Sequence, residues 1–260
     1  MSLTLREAPQ AVATRAAPQV PREEWRRLRD GLRSAWAAGG LRGMPLAWSC
    51  VALILLFSVV QHTAAGGWAV ERLGVVRAAL PLEKALLRTP VSLFVPALDL
   101  PAWGAMAQVL VVFGLAELTL GRTRTIMVAL AATAAGTTYA RIAIRLGPEA
   151  PGGLPWHDTF TRDTGPSAAV VALAVFIAWR WRSRLLVVAI TGAMIVEVAL
   201  KPNLAGWEHL AATAVGALLA AFDQPLTARW NRTLALATAA AQVGRPAVTP
   251  ATSPSTGRPV

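Results

Sequence analysis

The run AWGAMAQVLVVFGLAELTL, residues 102–120, carries one charged side chain, Glu117, in nineteen residues. A helix crosses a bilayer in about 17–25 mostly apolar residues, so this run is long enough to span. Working outward, five further runs read the same way: 46–62, 126–144, 165–179, 185–200 and 208–222. Several are short and rich in alanine. Lipid offers the backbone no hydrogen-bond partner, so each run is expected to be a helix. No strand-like alternation persists long enough for a barrel. The composition agrees: of 260 residues, 55% are hydrophobic and 15% charged, with mean hydropathy +0.48. Soluble domains carry about 25% charged residues. The expected fold class is an all-α, six-helix membrane bundle. Its first span starts too far in, without a small-residue cleavage site, and reads as a retained anchor.

Orientation follows from the basic residues. With the N-terminus inside, 17 of the 25 Lys and Arg fall on the cytoplasmic side. The expected topology is therefore N-in and C-in, multi-pass in a cell membrane. The net charge of +11 comes from 23 Arg and 2 Lys. Aromatic and Gly-rich nucleic-acid signatures are missing, so this bias points to a GC-rich, bacterial-type genome and not to nucleic-acid binding. The single cysteine, Cys50, excludes a disulfide framework and reads as a packing residue. Residues 1–21 and 243–260 are rich in Ala, Pro, Ser and Thr and read as disordered, the second within a C-terminal tail, 223–260. Between the first tail and the first span, residues 22–45 hold a basic helical segment. In it Trp25, Leu28, Leu32 and Trp36 recur at helical spacing among arginines. That pattern suits a helix lying on an anionic membrane face.

Two residues stand out for chemistry. Ser167 sits in DTGPSAAV at the outer start of the fourth span, and His209 in GWEHLAATAVG at the outer start of the sixth. Both spans run outside to inside, so the hydroxyl and imidazole lie at similar depth, the minimum condition for an activated serine. Pro166 suits a first helical turn, and Ser167 then lies among unpaired amides able to stabilise an oxyanion. Glu197, in the fifth span, is expected to pair with Lys201 at i, i+4. His157, Asp158 and Asp163 lack the convergent ligands a metal site needs. Ala131, Ala135, Gly136, Gly192, Ala212 and Gly216 are expected to allow close helix approach.

The order and spacing of these motifs resemble the rhomboid family of intramembrane serine proteases, over about residues 46–222. Gly165-Pro166-Ser167-Ala168 is similar to the family's nucleophile motif, with Ala168 in place of its usual final Gly. His209 matches the span-six His, and Gly216 fits the small residue two turns on. Ala212 replaces a common Gly. Glu117 and Gly121 resemble the family's Glu-x-x-x-Gly, and Ser92 to Met106 resembles the lead-in to the second span. The resemblance implies a six-span core with the N-terminus inside. It implies a Ser167–His209 dyad that cuts transmembrane substrates near the outer membrane face, with no cofactor and no metal. The expected partners are transmembrane protein clients and membrane lipid.

The departures lie opposite the serine. The family's oxyanion His and Asn fall on Pro101 and Ala105, and an upstream His falls on Pro96. None of the three donates a side-chain hydrogen bond. Gln108, one turn past Ala105, is a candidate replacement donor beside the Ser167 backbone amide. An aromatic that stacks on the His falls on Val171. Losing one oxyanion donor typically costs about 10²–10³ in rate. Two readings therefore stand: a weakly active intramembrane serine protease, or an inactive rhomboid-like protein that binds transmembrane clients. A transporter is the weakest reading, because no inverted repeat or chain of membrane carboxylates occurs.

Overall fold

The computed structural model describes residues 20–37 and 39–243, with side chains for 22–37 and 39–223. The tails at 1–19 and 244–260 lie outside the described residues. The chain falls into two compact units, Met1–Ala220 and Ala221–Val260, and the site lies in the first. The helices are α1 Val20–Ala37, α2 Pro45–Gln61, α3 Ala64–Leu73, α4 Leu82–Ser92, α5 Ala102–Leu120, α6 Arg122–Leu146, α7 Ser167–Arg180, α8 Arg184–Leu200 and α9 Leu204–Val243. Helix α9 thus runs past residue 222, where the sequence placed its end. Among the described residues the one strand-like pairing is an isolated antiparallel bridge between Val76 and Asp163.

Three helical stretches are long and apolar enough to cross a membrane: Ala102–Leu120, Arg122–Leu146 and Leu204–Asp223. Pro45–Gln61 and Ser167–Arg180 are apolar but shorter. Large apolar side chains point outward along the bundle, among them Leu55, Leu56 and Val59 on α2, Val111 on α5, Met127 on α6 and Val188 on α8. Helices that are apolar on their exposed as well as their packed faces suit lipid.

The core gathers Ala47, Cys50 and Ile54 of α2, Val109, Phe113 and Ala116 of α5, and Val128, Ala129 and Ala132 of α6 around α7. Helix α7 is the central element. Ala169, Ala172, Leu173, Val175 and Ala178 are fully enclosed, while α8 buries no residue. Glycine and proline set the breaks. Gly121, at φ +81°, ends α5 and opens α6, and Pro166 stands immediately before α7. Of the small residues expected at helix contacts, Gly136, Ala212 and Gly216 are buried, but Ala131 is exposed and Gly192 faces open space.

Helix α1 has two faces. Its face of Glu24, Leu28, Gly31 and Ala35 docks on the bundle, while Trp25, Leu32 and Trp36 stay exposed. Gly31 lies against the Trp181 indole. The Glu24 carboxylate accepts the Leu185 backbone N–H at 2.9 Å, at the first turn of α8. A buried carboxylate at a helix start meets both unpaired amides and the positive end of the helix dipole.

Candidate functional site

The segment leading into α7 is fixed by backbone pairing. Asp163 and Val76 exchange both N–H···O bonds, at 2.9 and 3.3 Å, and Gly165 N–H donates to Ser92 O at 2.9 Å. Gly165 has φ +110°. A Cβ there would meet only Val95 O, at 3.9 Å. The position therefore demands glycine for its backbone conformation rather than for space. Pro166 follows, and Ser167 is the first residue of α7.

Ser167 is recessed. Helix α7 has 14 residues and α6, packed beside it, has 25, so their lengths are about 21 and 37 Å. The Thr137 hydroxyl of α6 donates to Asp163 Oδ2 at 3.1 Å. Thr137 lies nine residues before the α6 terminus at Leu146, about 14 Å below it along the helix. Ser167 lines an open groove of about 320 Å³ with Pro96, Leu100, Pro101, Ala105, Gln108 and Gly165. The structure thus brings together Ser167, Gln108 and the two apolar replacements, Pro101 and Ala105. The first N–H groups of α7, from Ser167 onward, have no intrahelical acceptor. They, with the Gln108 amide and Thr164, which also lines the groove, are polar groups near a developing oxyanion.

Helices α7 and α9 touch through backbone. A Cβ on Gly216 would lie 2.5 Å from Ala172 O. Ser167 is five residues above Ala172 and His209 seven above Gly216, so the two Cα atoms differ in depth by about 3 Å. The seven-residue spacing puts His209 on the Gly216 face of α9, the face that meets α7. Ser167 lies about 100° round α7 from Ala168, the residue one turn above Ala172, and borders the groove with α5. Ser167 Oγ and His209 are not hydrogen-bonded to each other. His209 Nδ1 is instead 3.0 Å from Glu197 Oε2. Glu197 therefore pairs across the α8–α9 hairpin, and the expected pairing with Lys201 is not formed. His209 is nearly enclosed, its side chain 13% exposed against 34% for Glu197.

A second carboxylate cluster braces the site from behind. The Asp163 carboxyl lies beside that of Glu208 and accepts the Thr137 hydroxyl at 3.1 Å. Two carboxyl groups in contact hold a proton between them. Glu208 is buried, and its Oε1 has no partner among the described residues. Burial pushes the Asp163 carboxyl above the ordinary aspartate range, against the opposing pull of the Thr137 hydroxyl and the Arg141 charge. Arg141 donates to Thr137 O, Arg77 O and Leu80 O at 2.7, 2.9 and 3.2 Å, tying the segment after α3 to α6. The pair joins the residue four before Ser167 to the residue one before His209.

The raised Asp163 has a sign that can be tested. The folded state binds a proton that the unfolded chain releases near 3.8. Stability is therefore greatest below that value and falls as pH rises through the folded-state pKa. Asp163→Asn removes the Asp163 share of this slope. Unfolding in detergent, followed by a thiol-reactive dye on buried Cys50, should show a flatter pH dependence for the variant. Parallel curves would exclude a raised Asp163 carboxyl.

The other singled-out residues are structural or peripheral. Glu117, buried at the far end of α5, accepts Leu46 N–H and Ala47 N–H at 3.1 and 3.0 Å and Arg122 Nε–H at 2.9 Å. Cys50 is buried and free. His157 is exposed beside Asp158, and no group of three metal-ligating side chains converges among the described residues. Sequence reading missed the Glu197–His209 and Asp163–Glu208 contacts. A signal for the first existed: residues 197 and 209 flank the 201–203 turn almost symmetrically, which a helical hairpin brings into register. No family model, no curated protein and no solved structure matches the chain.

Proposed function

We propose that the chain is a multi-pass cell-membrane protein of rhomboid-like build, and a slow intramembrane serine hydrolase acting on transmembrane substrates. In this reading α2, α5, α6, α7, α8 and α9 cross the bilayer, N-in, and α7 is too short to reach the outer face. Ser167 then sits below that face, in a groove open to a substrate strand. Ser167 Oγ attacks the scissile carbonyl and its proton passes to His209. The C–N bond breaks as His209 protonates the leaving amine, and water hydrolyses the acyl-enzyme by the reverse sequence. The observation that carries the reading is the recessed Ser167, with α7 amides and Gln108 around it and His209 level with it on the α7-facing side of α9.

A second reading has its own support. Pro101 and Ala105 donate nothing to the groove, and Ser167 is not hydrogen-bonded to His209. Catalytic hydrogen bonds often tighten only on substrate binding, but these features equally suit a protein that binds transmembrane helices without cutting them. A fluorophosphonate probe separates the two. Labelling of the purified protein that is lost in both Ser167→Ala and His209→Ala establishes the hydrolase. Absence of labelling above Ser167→Ala, in protein that unfolds cooperatively, leaves the client-binding reading.

A further inference from the structure

We propose that Glu197 is a positioning residue for His209, making the site a Ser–His–Glu relay in place of a dyad; the inference rests on the hydrolase reading above. The geometry is direct. Glu197 opens the last turn of α8, and His209 lies in the second turn of α9. Their side chains meet at 3.0 Å through Nδ1. A carboxylate accepts hydrogen bonds and donates none, so this contact requires the proton on Nδ1. The other ring nitrogen, Nε2, then carries the lone pair, as a base for Ser167 must. The imidazole has its nitrogens on different edges, so a ring tied to α8 at Nδ1 presents Nε2 away from α8. His209 shares the α7-facing side of α9 with Gly216, and the tie occupies Nδ1 and leaves Nε2 as the basic nitrogen.

The surroundings favour this assignment. Thr213 Oγ donates to His209 O at 2.8 Å, which holds the backbone of that turn and leaves the ring to Glu197. Asp163, before α7, also interacts with His209, and Glu208 is the neighbour of His209 in sequence on α9. Asp163 and Glu208 are already engaged with each other and with Thr137. Lys201, on the hairpin turn, is exposed and forms no ion pair with Glu197 among the described residues. Glu197 is thus the group that fixes the tautomer. In serine hydrolases with a third acid, replacing it by its amide keeps the geometry and lowers turnover about 10⁴-fold, because the wrong tautomer forms.

The experiment pairs a rate with a spectrum. Glu197→Gln keeps the shape, but its amide N–H donates to Nδ1 and moves the proton to Nε2. With fluorophosphonate, Ser167 Oγ bonds to phosphorus, fluoride leaves, and His209 takes the hydroxyl proton. That rate is expected to fall by about 10²–10⁴ in Glu197→Gln. The three histidines, His62, His157 and His209, allow residue-specific ¹⁵N labelling, with His209→Ala assigning the signal. Wild type is expected to show the Nδ1–H tautomer of His209, and Glu197→Gln the Nε2–H tautomer. Glu197→Ala, which has no group to bond, is expected to give a mixture. An unchanged tautomer in both variants overturns the proposal. So does a full labelling rate in Glu197→Gln when Ser167→Ala abolishes labelling. If the tautomer switches but wild type never labels, Glu197 still orients His209, and the hydrolase reading is the one that falls.

Discussion

Gly216→Leu is expected to separate α9 from α7 and to abolish probe labelling with Ser167 and His209 both intact. The contact it disrupts is between backbones: a Cβ there would lie 2.5 Å from Ala172 O and 2.9 Å from Ala172 Cα. Real Cβ atoms do not approach so closely, and no rotamer change relieves a clash with main chain. Inserting bulk into a packed core typically costs about 1–3 kcal/mol, and more where backbone must move. Gly216→Ala should show the same effect in smaller measure. Ala172→Gly should not rescue either variant, since the opposing atoms are not side chain. The check is the temperature at which Cys50 becomes reactive, measured beside labelling in the same detergent. Unchanged melting and labelling in Gly216→Leu would mean that the two helices are not in contact there.

Glu117→Ala is expected to be the most destabilising single truncation at the opposite end of the bundle. Its two oxygens serve three donors, Leu46 N–H, Ala47 N–H and Arg122 Nε–H. Hydrogen bonds to charged groups contribute about 1.5–3 kcal/mol each, and orphaned buried donors add their own penalty. Arg122 is well exposed, so its share is small, and the two amides dominate. A loss of about 3 kcal/mol follows. Glu117→Gln keeps one acceptor oxygen and should fall between the two. Melting temperatures in the order wild type, Gln, Ala are the expected result, and a wild-type value for Ala would show that water replaces the carboxylate without cost.

The contrast between these sites shows what the sequence discloses. Glu117 and Gly121 carried a local spacing that could be read, and the long apolar runs announced their helices by length alone. Helices α3 and α4 escaped that reading because their runs are short and mixed. They are held by particulars: the Thr63 hydroxyl accepting Gly66 N–H at 3.1 Å, and Arg88 donating to Val75 O at 3.0 Å. At the site, Ser167 and His209 were visible from motif spacing and depth. Their orientation was not, since it depends on how α7 turns within the bundle. Glu197 was misassigned because a local i, i+4 partner is what a linear chain offers first, whereas the hairpin offers a closer one. The Asp163–Glu208 pair was invisible. Each half looks like an ordinary surface acid until the fold sets them side by side, Glu208 buried and Asp163 partly so, where two charged carboxylates would repel.

The docking of α1 has a consequence in time. Glu24 caps an amide 161 residues further along the chain. At ribosomal speeds of about 5–20 residues per second, that partner emerges on the order of 10–30 s later. During the interval α1 can meet only α5 and the 40–43 turn before α2, and its tie to α8 is not yet made. Its seat is complete only after α8 has been delivered, because Leu185 N–H is the amide that Glu24 caps. The seating of α1 thereby reports on the completion of α8.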